Sequence, residues 1–188
     1  MTQKAPRENP ISGKAGQKGL LIVYTGEGKG KSTAAFGLAF RALGRDLRVG
    51  CVQFIKGQWK TGEEQMAARL PERVDWVCMG DGFTWETQNE EQDRATARKA
   101  WAKCLEMLKE PAYQVLIFDE LNCVLDFEFL PVQEVIEALQ ERPAQTHVVV
   151  TGRGAPQALI EAADVVTEMK EIKHPYKQGF LAQPGVDY

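Results

Sequence analysis

The sequence predicts an α/β fold: a single three-layer domain with a mostly parallel sheet of about five or six strands and helices on both faces. Two observations carry that expectation. Short apolar runs alternate along the chain with stretches of helical periodicity, as in strand–helix–strand units around a parallel sheet. One apolar run, Leu20-Leu21-Ile22-Val23-Tyr24, also passes directly into Gly26-Glu27-Gly28-Lys29-Gly30-Lys31-Ser32-Thr33 and then into an Ala-rich stretch. Strand, glycine loop, Lys-Ser and helix, in that order, form a phosphate-binding loop. Its glycines let consecutive backbone N–H groups turn toward one centre. The helix N-terminus adds partial positive charge, Lys31 a full one, and Ser32 a hydroxyl for magnesium. The spacing departs from the standard pattern, because Thr25 stands where the first glycine belongs and Gly26 comes one position later.

In chain order, residues 1–19 form a basic, mobile arm by composition: Lys4, Arg7, Lys14 and Lys18 stand against one acid, Glu8, among prolines and glycines. The domain proper runs from 20 to 188. After the first strand and loop, Thr33 to Leu43 is apolar almost all round and reads as a helix buried against a sheet, with Gly44 at its C-terminal cap. Arg48 to Phe54 reads as a second strand, Glu63 to about Leu70 as a short helix, and Val74 to Met79 as a third strand. Glu91 to Lys109 is a long helix with Ala97, Ala100, Trp101, Cys104, Leu105 and Leu108 on one face, ended by Pro111. Val115 to Phe118 is a continuous apolar run, as expected of a strand covered on both faces, and it ends in Asp119-Glu120. Pro131 opens a helix, His147 to Thr151 is a fifth strand, Pro156 to Ala163 a helix, and Val165 to Met169 the candidate for a sixth strand.

Composition narrows the function classes. The 188 residues are 44% hydrophobic and 26% charged, ordinary for a globular domain. A net charge of −3 gives no support for bulk binding to nucleic acid. No apolar run approaches the ~20 residues that span a bilayer, and the N-terminus has no secretory h-region. Cys51, Cys78, Cys104 and Cys123 read as core thiols rather than metal ligands or disulfides. These features predict a cytoplasmic protein.

Three further segments carry chemistry. An acid ending a fully apolar strand in a phosphate-loop protein usually faces the nucleotide's magnesium, so Asp119 and Glu120 are candidate ligands, with a helix N-cap or turn acid as the other reading. Arg153, between Gly152 and Gly154, falls on the strand-end edge where such sheets bind ligands, and is a candidate phosphate contact. In Gly80-Asp81-Gly82-Phe83-Thr84-Trp85-Glu86-Thr87-Gln88, two large aromatics stand among glycines and polar residues. From the residues alone, core packing is the favoured reading of that pair and an apolar platform for a flat ligand the other.

The run Val23 to Gly37 resembles the ATP:corrinoid adenosyltransferases of cobalamin synthesis, a phosphate-loop nucleotide-hydrolase-like family. So do Val52 to Gly57, Gly82 to Gln88, Asp119-Glu120-Leu121, Val150 to Gly154 and the closing Ala182 to Tyr188, in order from about residue 18 onward. The short glycine spacing is that family's own variant. The resemblance implies transfer of the 5′-deoxyadenosyl group of ATP to the cobalt(I) of a corrinoid, with release of triphosphate. It assigns Thr25, Gly26, Glu27, Gly28, Lys29, Gly30, Lys31, Ser32, Thr33 and Arg153 to ATP. Ser32, Glu120 and Asp119 would hold Mg2+ (or Mn2+), with Lys31 and Glu120 in the catalytic roles. It also reverses the reading of the aromatic loop: Phe83 and Trp85 would lie beneath the corrin ring and exclude a lower axial ligand. A homodimer and a flavoprotein reductant are implied as partners. Glu27 adds negative charge beside the phosphates, where relatives often have Asn or Asp. The competing readings are an ordinary phosphate-loop ATPase, a small-molecule kinase, or a nucleotide-dependent switch.

Overall fold

A computed structural model describes residues 18–55, 61–79 and 89–187. Six strands form one sheet: β1 (Leu21–Thr25), β2 (Val49–Gln53), β3 (Val74–Cys78), β4 (Val115–Asp119), β5 (His147–Thr151) and β6 (Val165–Glu168). Their order is β3-β2-β4-β5-β1-β6 and every pairing is parallel. Between them run α1 (Lys31–Leu43), α2 (Gly62–Ala67), α3 (Glu90–Leu108), α4 (Leu121–Asp126), α5 (Val132–Gln140) and α6 (Gln157–Ala162), and a 3-10 turn spans Pro175–Gln178.

Strand periodicity divides the core in two. Leu21, Val23, Val52, Leu116 and Phe118 face one side and pack with Trp101 of α3, Leu139 of α5 and Leu159 of α6. Ile22, Val49, Cys51, Val115 and Ile117 face the other, against Ala35 and Phe36 of α1. Helices therefore cover both faces, as the sequence predicts. The apolar stripe of α3 is buried at Ala97, Ala100, Trp101, Cys104, Met107 and Leu108. The Asn89 side chain caps its first turn by accepting from Gln92 N–H at 3.2 Å, and Glu90, Glu91 and Asp93 add charge suited to a helix N-terminus.

Several expectations need correction. Helix α1 is buried against the sheet at Ala35, Phe36 and Ala42, but its apolar run does not stay buried on every side, since Phe40 is 76% exposed. Gly44 does cap that helix, but at φ −66°, and the left-handed turn falls instead on Asp46. Cys51 and Cys104 are core thiols, whereas Cys78 is exposed and Cys123 half-buried. Helix α4, with fewer than two turns, has no counterpart in the sequence reading.

Lys18 and Gly19, assigned to the arm, are already tied to the domain. Gly19 N–H donates to Ala144 O at 2.7 Å, and its carbonyl accepts from Arg142 at 2.8 Å. Asp164, just before β6, accepts from Lys18 Nζ at 2.6 Å and from the Leu21 N–H at 2.9 Å. These two hydrogen bonds hold its carboxyl below the ordinary aspartate range. Asp164→Ala is expected to cost about 1–2 kcal/mol, most of it from the orphaned Leu21 N–H, because the exposed Lys18 pair is screened. Because the folded-state pKa is depressed, the difference from wild type should hold above pH 4 and shrink as pH falls through the folded value. Denaturant melts at pH 7 and pH 3 check this.

Candidate functional site

The phosphate loop lies at the carboxyl edge of the sheet, between the end of β1 and the start of α1. Gly26 and Gly30 take φ of 92° and 119°, conformations that a side chain would strain. Close approach matters as well: a Cβ on Gly28 would come within 2.7 Å of the Met169 carbonyl. That carbonyl instead accepts the Gly28 N–H at 2.6 Å, fastening the loop to the segment after β6. Among the described residues no side chain caps α1, and its first turn carries no acid. Its N-terminus is left as an electropositive surface for an anion.

Lys31 is buried, and its Nζ donates to the carbonyls of Gly26 at 2.6 Å and Gly28 at 2.8 Å. The loop is thus closed around its own cation. Burial lowers the Lys31 pKa, Glu120 opposes that shift, and Arg153 adds to it. Lys31, Ser32 and Thr33 line a cavity of about 230 Å³ together with Lys29, Gly30, Ile55, Glu63, Asp119, Glu120, Val186 and Asp187. The structure therefore brings the phosphate loop and the acid pair into one space.

The two acids differ in how they are held. Asp119 is 1% exposed, and both of its oxygens accept hydrogen bonds, from Gln53 Nε2 at 2.8 Å and Thr151 Oγ1 at 2.7 Å. Glu120 sits in the left-handed region at φ 66°, turning the chain from β4 into α4. Its N–H donates to Thr151 Oγ1 at 3.0 Å, and its Oε2 accepts from Cys123 Sγ at 2.9 Å. Burial, and then the Glu120 charge, push the Cys123 thiol pKa well up, so it serves as a neutral donor here.

Thr25 accepts the Ala155 N–H at 3.2 Å, joining the phosphate-loop strand to the turn after β5. Arg153, in that turn, lies 3.4 Å from Glu27. The loop acid that is awkward beside phosphates is thus matched by a cation across the loop. Asn122 donates to the carbonyls of Tyr24 at 3.1 Å and Gly152 at 3.0 Å, stitching α4 to the ends of β1 and β5. Phe83 and Trp85 lie outside the described residues.

Sequence reasoning gave no site role to Gln53 and Thr151 beneath the acids, nor to Ile55, Glu63, Val186 and Asp187 beside the loop. Asp187 pairs with Lys29. The first two carried a readable signal, since each is a polar residue ending an otherwise apolar strand.

The donor set suits a hard divalent cation. Magnesium on a nucleotide takes one or two protein oxygens and fills its other positions with phosphate and water. The cavity offers the Ser32 hydroxyl and the Glu120 carboxylate. Among the described residues no cluster of three His, Cys, Asp or Glu would trap a metal without a nucleotide.

Comparison with known proteins agrees with this geometry. The family described as ATP:corrinoid adenosyltransferase BtuR/CobO/CobP matches residues 17–188. A corrinoid adenosyltransferase of Pseudomonas aeruginosa is 47% identical over 186 residues, covering 99% of this chain and 92% of the relative. One from Escherichia coli K12 is 45% identical over 172 residues, covering 92% and 87%. Among solved structures, the flagellar accessory protein FlaH of Methanocaldococcus jannaschii superposes with a TM-score of 0.54 at 14% identity, covering 80% of this chain and 71% of that one. That likeness concerns the fold alone. The ATPase and kinase readings are not favoured by the sequence relatives. With its phosphate loop and acid pair in one cavity and its length matched nearly end to end, the chain belongs to the ATP:corrinoid adenosyltransferase family and is a transferase.

Proposed function

We propose that the protein moves the 5′-deoxyadenosyl group of ATP onto the cobalt(I) of a corrinoid. The carrying observation is the shared cavity of phosphate loop and acid pair in a chain of this family. The reduced cobalt supplies the electron pair that forms the new cobalt–carbon bond at the ribose 5′ carbon. The C5′–O bond breaks, and its electron pair leaves with inorganic triphosphate. No proton moves in that step, so no general base is required. The protein's task is to hold the leaving group and stabilise its growing charge.

The residues divide that work. Thr25 to Thr33 form the loop whose amides, with Lys29, Lys31 and Arg153, grip the triphosphate. Lys31 is held in place before ATP arrives by the Gly26 and Gly28 carbonyls. Ser32 and Glu120, with Asp119 behind them, would hold Mg2+ or Mn2+, which would neutralise phosphate charge. Phe83 and Trp85 would present an apolar face to the corrin ring, favouring the four-coordinate cobalt(II) state that can be reduced. A homodimer, a flavoprotein reductant and a cytoplasmic setting complete the proposal. No helix among the described residues is long and apolar enough to cross a membrane.

The deciding experiment mixes the protein with magnesium ATP and a chemically reduced corrinoid, and follows the visible spectrum and the phosphate products. Adenosylated corrinoid with intact triphosphate is the expected result; ADP or orthophosphate would overturn it. The aromatic pair has its own check. The double variant Phe83→Ala, Trp85→Ala is expected to slow reaction from cobalt(II) by at least ~10-fold while changing ATP affinity less than ~2-fold. Parallel loss of both would point to a structural role.

A further inference from the structure

Three neighbouring strands end in a polar residue at the same level of the sheet. Gln53 of β2 is in register with Asp119 of β4, and Phe118 of β4 with Val150 of β5, so Thr151 follows beside Asp119. All three side chains are buried, so each must satisfy its polar atoms within the protein. They do so in a row that begins on the edge strand. Trp76 Nε1 of β3 donates to Gln53 Oε1 at 3.1 Å. Gln53 Nε2 donates to Asp119 Oδ2 at 2.8 Å. Thr151 Oγ1 donates to Asp119 Oδ1 at 2.7 Å and accepts the Glu120 N–H at 3.0 Å.

The direction of this row follows from its ends. An indole N–H can only donate, so it turns the oxygen of the Gln53 amide toward Trp76 and the NH2 toward Asp119. Asp119, with both oxygens accepting, fixes the Thr151 hydroxyl proton. The Thr151 oxygen is then free to take the N–H of Glu120, the residue strained at φ 66° that lines the loop cavity together with Lys31. Strain of that kind persists only where surrounding contacts over-determine it. Trp76 is itself held by the Phe36 ring of α1, with centroids 5.0 Å apart.

We propose that Gln53 is a positioning residue for adenosyl transfer, oriented by Trp76 and acting through Asp119 and Thr151 on the backbone of Glu120. This deepens the reading given above and rests on it. Its consequence is that the edge strand β3 and the acid pair are coupled. Without the indole donor, the Gln53 amide is free to flip and face Asp119 with its oxygen, which repels the carboxylate.

The test compares wild type, Gln53→Met, Trp76→Phe and the double variant. It measures kcat, ATP affinity without corrinoid, and the 15N indole resonance of Trp76, which Trp76→Phe assigns by its loss. Gln53→Met is expected to lower kcat about 10–100-fold with ATP affinity within about 2-fold of wild type. Trp76→Phe should lower kcat about 3–10-fold, and the double variant should be no worse than Gln53→Met alone, as for two residues in one chain of contacts. In otherwise wild-type protein, Asp119→Asn should shift the Trp76 indole resonance, because the row passes through Gln53. Additive losses in kcat, an unchanged kcat in Gln53→Met, or an indole resonance indifferent to Asp119→Asn would each overturn the proposal. The indole measurement needs no turnover. It therefore separates failure of this inference from failure of the adenosyl-transfer reading, which wild type making no adenosylated corrinoid would show.

Discussion

Lys31→Met is expected to lower adenosyl transfer by about 10³-fold, at the upper end of what one preorganised electrostatic group contributes. The triphosphate leaves with its charge growing, and Lys31 is the cation already buried at the loop, held by two carbonyls. Single-turnover rates with saturating ATP measure the loss. Arginine should not rescue it, because a planar fork cannot sit between the Gly26 and Gly28 carbonyls as a compact ammonium does. The effect on stability should depend on pH. Burial lowers the Lys31 pKa, so the unfolded chain binds the proton more readily than the folded one. Folding is penalised at neutral pH, and wild type should gain stability relative to Lys31→Met as pH rises toward 10.5. Urea melts at pH 7 and pH 10 follow that gain.

Glu120→Gly should separate activity from stability. Losing the carboxylate that shares the loop cavity with Lys31 and would hold the metal is expected to reduce transfer about 10²–10³-fold. The same change removes a side chain from a left-handed backbone position, where a non-glycine residue costs roughly 1–2 kcal/mol. Allowing for the greater freedom of glycine in the unfolded chain, the variant should be more stable by up to about 1 kcal/mol. Glu120→Gln is the companion: it keeps the strain and loses the charge, so it should fall in activity without gaining stability. A Glu120→Gly variant that is both inactive and less stable would show that the side chain supports the fold and not only the chemistry.

The elements that were legible in the sequence are those with a long or repeated signal. The run Val115 to Phe118 declared a doubly covered strand because no polar residue interrupts it. The spacing of Ala97, Trp101, Cys104 and Leu108 declared the buried face of α3. The phosphate loop was legible because its chemistry needs residues of fixed type in a fixed order. Helix α4 was not: six residues cannot show a 3.6-residue period, and it starts from Glu120, whose left-handed conformation is not marked by its residue type. The supporting roles of Gln53 and Thr151 depend on which strands are neighbours. Chain order does not reveal that, because β2 and β5 flank β4 only after two crossovers. Asp187 reaches Lys29 across 158 residues, a contact no local pattern encodes.

The sheet order also sets a timetable for synthesis. Of the six described strands the phosphate-loop strand is the first to be made, yet both of its neighbours, β5 and β6, are the last two. The Leu20 N–H waits for His147 across 127 residues, and Ile22 pairs with Val149 and Val165. At ordinary elongation rates that interval is on the order of ten seconds. Through it an apolar strand stands without either partner, so the nascent chain should be a client for chaperones that shield exposed strands.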